Sequence, residues 1–206
     1  MIVWSIENAK SSKLFDAIVV STDDEEIASI ASSCGATVPF RRPAELSDDY
    51  TTSKAVVSHA IAALGILGLK PEYVCCIYPC TPFLRQQDLI DGLKLLQSSR
   101  AGFSYAVSEY SHPIQRALTR QADGKMHFLH SEYELSRTQD LMKAYYDLGQ
   151  FYWGGRDAWL GDRQLHEGGA GLVLPTWRFV DIDNLDDWKR AEMIFRTLRR
   201  YRSQID

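Results

Sequence analysis

The sequence predicts an α/β fold: one mostly parallel sheet carrying helices on both faces. Three observations lead there. Short apolar runs rich in β-branched residues, Phe15–Ser21, Tyr73–Tyr78 and Gly102–Val107, have the pattern of strands buried on both sides. Segments with helical spacing of apolar residues alternate with them, which is the order of parallel strands joined by crossover helices. A chain of 206 residues that is 45% hydrophobic can bury one sizeable core, so a single domain spanning 1–206 is expected.

The elements follow in order. After the first run, Thr22 and Asp23 can cap a helix whose first turn is acidic and which Gly35 closes. Thr37–Phe40 is a short extended piece, and Arg41-Arg42-Pro43 breaks regular structure. Val56, Val57, Ile61, Leu64 and Leu67 recur at helical spacing between 51 and 67. Tyr73–Tyr78 is the second strand, stopped by Pro79 and Pro82, and Gln87–Ser98 is the next helix. Residues 108–170 are polar and aromatic, with alternating patches at Lys125–Leu129 and Gln150–Trp153, and are expected to project as hairpins and loops. Arg178–Asp183 reads as a last short strand and Leu185–Tyr201 as an amphipathic closing helix.

The net charge is −4 and the basic residues are scattered. Their densest run, Arg196 to Arg202, fits the solvated end of a helix better than a nucleic-acid surface. Cys34, Cys75, Cys76 and Cys80 contain no CxxC pair, which points to reduced thiols, and with them to the cytoplasm, rather than to a zinc site. No apolar run reaches the roughly 18 residues of a membrane span.

Ligands of parallel α/β sheets sit outside the carboxyl ends of the strands, so residues just after strands are the candidates. Asp181 and Asp183 are two apart in an expected strand and would point to one side. Paired carboxylates suit Mg²⁺, or belong to a plain strand end before a capped helix. Arg42 offers a fork for phosphate or carboxylate, or forms a surface ion pair. Ser53 starts a helix, where a hydroxyl caps or meets a ligand. Tyr78-Pro79-Cys80-Thr81-Pro82 makes a stiff corner, either a platform or a turn. The run Asp147–Trp153 combines aromatic faces with the amide of Gln150, as a sugar site does, and as a core or dimer seam also can. The histidines make no metal-ligand pattern and no nucleophile elbow is present, which argues against nucleophilic catalysis.

Taken together, VVSTDDEEIASIASSCGATVPFRRPAELSDDYTTS, the YPCTPF corner and DIDNLDDWKRAE resemble the acylneuraminate cytidylyltransferases, in family order and over nearly the whole chain. Tyr78, YYDLGQFYWG and HPIQRAL are most similar to that family's pseudaminic acid branch. The resemblance implies a Rossmann-like three-layer sheet of the nucleotide-diphospho-sugar transferase type. It implies a homodimer built through the segment at 108–170, which would also line the sugar site. The implied reaction couples CTP to a nine-carbon α-keto acid sugar, giving the CMP-sugar and pyrophosphate in the cytoplasm, with Mg²⁺ as cofactor, to supply surface glycans or flagellin. It places Arg42 and Ser53 around the nucleotide, Tyr78, Gln150 and Tyr152 around the sugar, and Asp181 and Asp183 on the metal. Sialic or legionaminic acid as substrate, and a non-catalytic sugar-binding or dimerising paralogue, are the alternatives. The family's opening strand and glycine- and lysine-rich phosphate loop have no match here, since Met1–Ile6 resembles the start of the following helix. The expectation is therefore a start at an internal methionine of a longer protein, with a true truncation as the alternative, and on either reading little activity for the chain as written.

Overall fold

In a computed structural model, which describes residues 1–202, the core is a four-stranded sheet between two helical layers. Its strands are β1 (Tyr73–Ile77), β2 (Phe103–Glu109), β5 (Tyr145–Gly155) and β6 (Ala170–Val173), in the order β1-β5-β2-β6. β5 runs antiparallel to both β1 and β2, and β6 runs parallel to β2, so three strands share one direction and β5 opposes them. The expected mostly parallel sheet is thus a mixed one in which β5 alone opposes the other strands. The helices are α1 (Ile2–Ser12), α2 (Glu25–Ser33), α3 (Ser53–Ile66), α4 (Gln86–Ser98), α5 (Arg156–Leu160) and α6 (Leu185–Arg202).

Alternation along β5 divides the core. Phe151 and Trp153 face α4, meeting Leu89 and Leu96, while Tyr152 faces α3, meeting Val57 and Ile61. Gly92 lets α4 lie close to the sheet, because a Cβ there would stand 2.5 Å from the Phe151 ring. Buried polar groups at this contact are paired: Ser104 Oγ donates to Gly92 O at 2.6 Å and Trp153 Nε1 to Leu89 O at 3.0 Å.

Three expectations change. Phe15–Ser21 does not form a strand; its one ladder contact is a parallel bridge from Val19 to Thr37. A strand needs a run of backbone partners, and among the described residues only the Thr37 segment supplies any. Ile18 and Val20 instead pack with Ile6, Ala31 and Ala36 beneath α1 and α2. Arg178–Asp183 is likewise no strand: Pro175 follows β6, a 3₁₀ turn covers Thr176–Arg178, and the chain then runs extended without a ladder. Third, the segment at 108–170 projects only in part. Its hairpin β3 (Leu118–Arg120) and β4 (Met126–Phe128) stands apart, but β5 is the strand that joins β1 to β2.

Helix caps refine the sequence reading by a residue. Asp24 Oδ1 accepts from Ile27 N at 2.8 Å and caps α2, in place of Thr22 or Asp23. Thr52 caps α3 by accepting from Ala55 N at 3.3 Å, which leaves the Ser53 hydroxyl available for other contacts. Asn184 caps α6, and Asp187 reciprocates on the Asn184 N–H. The basic run ending at Arg202 lies in α6, and its side chains from residue 199 are outside the described residues.

Candidate active site

Strand β1 ends at Ile77, and the next residue begins the stiff corner. Its backbone is held from α1: Ser5 Oγ lies 3.0 Å from Tyr78 O and 2.9 Å from Thr81 Oγ1. With the corner fixed, the Tyr78 hydroxyl meets Ser53 Oγ at 2.5 Å across the start of α3. The Tyr78 ring leans on Tyr152 at a centroid separation of 5.4 Å, and Tyr152 in turn lies 6.0 Å from Tyr105. Three residues singled out from the sequence, Ser53, Tyr78 and Tyr152, are therefore one constellation.

Polar groups complete it. Tyr152 OH donates to Asp147 Oδ2 at 2.6 Å, and the same oxygen meets His166 Nε2 at 2.7 Å. Asp147 Oδ1 accepts from Gly149 N at 2.9 Å, which steadies the irregular stretch where β5 slips register against β2. Gly149 there has φ 56°, a left-handed backbone that favours glycine. Burial first, and then the adjacent Asp147 carboxylate, push the Tyr152 hydroxyl well above the usual tyrosine range. Tyr105 is raised for the same two reasons. Both phenols thus stay protonated and act as donors.

The side chains of the remaining candidates bond elsewhere or stand free among the described residues, although Gln150 O accepts from Tyr78 N at 3.0 Å. Arg42 sits in the loop before α3, with its guanidinium on Asp23 at 3.2 Å and on Ser47 Oγ at 3.0 Å. Gln150 is 2% exposed and gives its Nε2 to Arg178 O at 2.9 Å. Asp181 and Asp183 line a cavity of about 550 Å³ together with Tyr146, Trp177 and Arg190. Both aspartates are exposed, and neither carboxylate has a hydrogen-bond or ion-pair partner among the described residues. Consecutive positions on β5 connect the two regions: Tyr146 lines the aspartate cavity, and Asp147 belongs to the tyrosine cluster.

Asp181 and Asp183 are the residues that would hold a divalent cation, although the strand expected to point them to one side is absent. Among the described residues no third His, Cys, Asp or Glu completes a ligand group. Two unpaired carboxylates with open space around them match a hard ion that keeps waters and takes phosphate oxygens for its other positions.

Sequence reasoning missed the group that fixes this segment in place. Arg178, 6% exposed, forms a two-pronged pair with Asp88 at the start of α4, through Nη1 to Oδ1 at 2.9 Å and Nη2 to Oδ2. Its Nη2 also donates to Phe83 O at 3.1 Å. Asp88 also accepts the Arg85 backbone N–H at 2.9 Å. His166 and Asp147 were missed because they bond across 19 residues of chain.

Comparison with known proteins agrees with this architecture. The sequence model of the Cytidylyltransferase family matches residues 1–150. The pseudaminic acid cytidylyltransferase of Campylobacter jejuni subsp. jejuni is 37% identical over 95% of this chain and 85% of that protein. The solved structure of CMP:2-keto-3-deoxy-manno-octonic acid synthetase complexed with CTP superposes with a TM-score of 0.58 at 11% identity, covering 93% of this chain and 87% of that one. The 4-diphosphocytidyl-2C-methyl-D-erythritol synthase of Anaerococcus prevotii does so with a TM-score of 0.60 at 10% identity, covering 95% and 85%. With its fold shared by these synthetases and most of its length matched by the family, the chain belongs to the cytidylyltransferases.

Proposed function

We propose that this protein couples CTP to pseudaminic acid, forming CMP-pseudaminic acid and pyrophosphate. The observation that carries the reading is the joined Ser53–Tyr78–Tyr152 constellation at the carboxyl end of β1. It presents the half-buried Tyr78 ring and its hydroxyl, backed by the buried Tyr152 ring, and an aromatic face with polar groups at its rim suits a ring with one apolar and one polar side. The sugar's anomeric hydroxyl attacks the α-phosphorus, the new oxygen–phosphorus bond forms, and the bond to the bridging oxygen breaks as pyrophosphate leaves.

In this reading Tyr78 and Tyr152 orient the sugar, with Gln150 supporting the strand behind them. Ser53 stands at the nucleotide side of the same cluster, and Arg42 in the preceding loop contributes a cation for the nucleotide. Asp181 and Asp183 hold Mg²⁺, which offsets triphosphate charge when bound. Apolar side chains exposed around the β3–β4 hairpin, among them Leu118, Met126 and Leu135, support a homodimer through that segment. No helix among the described residues is long and apolar enough to cross a membrane.

The test is pyrophosphate release from CTP and Mg²⁺ with pseudaminic, sialic or legionaminic acid as acceptor. It is run on the chain and on a form extended by a glycine- and lysine-rich loop of the family's pattern. Release with pseudaminic acid at least tenfold above the other two is expected, and Asp181→Asn or Asp183→Asn should abolish it without unfolding the exposed segment. Folded protein that releases pyrophosphate in neither form overturns the proposal.

A further inference from the structure

We infer that His166, oriented by Asp147, is the base that takes the proton from the attacking sugar hydroxyl. This rests on the proposed cytidylyl transfer and adds a residue to it. An ionised carboxylate only accepts hydrogen bonds, so the 2.7 Å contact from Asp147 Oδ2 fixes His166 Nε2 as the N–H donor. That tautomer leaves the lone pair on Nδ1, which has no partner among the described residues. The ring is held as well as paired. It packs edge-on against Tyr105 at 5.2 Å and Tyr152 at 6.2 Å, and Tyr105 OH donates to His166 O at 3.2 Å. Its side chain remains 61% exposed, so the free nitrogen opens outward beside the tyrosine that would orient the sugar.

The titratable groups facing the ring are Asp147 and Tyr152 on β5 and Tyr105 on β2. Both phenols keep their protons, and Asp147 is the carboxylate bonded to the ring, where it stabilises the imidazolium that forms. The division of roles follows the general logic of an acid that orients a histidine and a histidine that relieves a hydroxyl. The hydroxyl proton passes to Nδ1 as the oxygen–phosphorus bond forms, pyrophosphate departs with the bridging oxygen, and the exposed imidazolium returns its proton to water. Asp147 is a positioning residue here, since it acts through the ring.

The experiment combines kinetics with histidine NMR. His166→Gln should lower kcat about 100-fold or more, leave KM for CTP within about threefold, and remove the acidic limb from the pH profile of kcat. Asp147→Asn should lower kcat, with kcat changing more than KM. His166→Gln with near-normal kcat and an unchanged profile overturns the inference. Should neither the chain nor its loop-extended form release pyrophosphate, the transfer reading itself fails. The imidazole ¹⁵N shifts then decide for His166: pseudaminic acid should move Nδ1 of the wild type and not of Asp147→Asn, and an unmoved ring overturns the assignment.

Discussion

Removing Asp88 should cost far more than a surface carboxylate. The Arg178–Asp88 pair is 6% and 5% exposed, and each guanidinium prong has its own carboxylate oxygen. In Asp88→Ala the guanidinium stays buried, keeps only the Phe83 carbonyl, and has no counter-charge. Breaking one side of a buried pair costs about 3–5 kcal/mol. Loss of the bond to Arg85 N adds about 1 kcal/mol at the start of α4. For a chain of this length each kcal/mol lowers Tm by roughly 2–4 °C, so a fall on the order of 10 °C or more is expected in calorimetry or far-UV circular dichroism. Replacing both partners by apolar residues, Asp88→Leu with Arg178→Met, should recover most of the loss except the cap, because no stranded charge remains. In a double-mutant cycle the coupling should then exceed about 2 kcal/mol. A single-variant loss below about 1 kcal/mol, or additive effects, would refute the reasoning. Arg178 precedes Asp181 by three residues in a segment with no ladder, so the double variant should remain folded yet position the aspartates less well.

Other predictions separate stability from function. Ser53→Ala should leave Tm nearly unchanged, because Thr52 caps α3, while lowering turnover through loss of the Tyr78 contact; Thr52→Ala should cost about 1 kcal/mol of stability. Gly92→Ala should destabilise by about 1–2 kcal/mol in urea unfolding despite better helix propensity, because the new Cβ would lie 2.5 Å from Phe151 and 3.1 Å from Trp153. Burial pushes the Cys76 thiol up from 9.0 to about 12, and burial together with the neighbouring Cys76 raises Cys75. The unfolded chain loses these protons first, so their contribution is present below pH 9 and is lost as pH rises towards 12, where Cys76→Ala should flatten the decline. A thiol reagent near neutral pH should modify exposed Cys80 before either, as read by mass spectrometry.

Local signals carried most of the fold. The helices at 53–66 and 86–98 and the strands at 73–77 and 103–109 appear within a residue or two of where periodicity and turn residues put them. What escaped were features set by distant partners. Phe15–Ser21 has the composition of a strand, but a strand also requires a neighbour, which composition does not report. Gln150–Trp153 alternates like an exposed hairpin, and only the sheet order reveals it as central. In the site, Ser53, Tyr78 and Tyr152 were readable because each stands next to a strong local marker, a helix start, a proline corner or an aromatic run. Asp147 lay inside that run but drew no notice, since its meaning depends on His166, and Arg178 looked like an ordinary strand residue until Asp88 was seen beside it.

The place of β5 has a consequence for how the protein is made. β1 and β2 lie on either side of it and do not touch each other, so neither has a sheet partner until Gly155 has been synthesised. At ribosomal rates the wait between Glu109 and Gly155 is roughly 2–10 s, during which the backbone edges of β1 and β2 are in place with no strand to pair them. Hydrophobic collapse takes far less time, so the nascent chain passes through a stage with bare, pairable edges. Stalled synthesis in the 110–144 interval should therefore yield a chaperone-bound or aggregating chain, and the release of β5 is the event that commits the sheet to form.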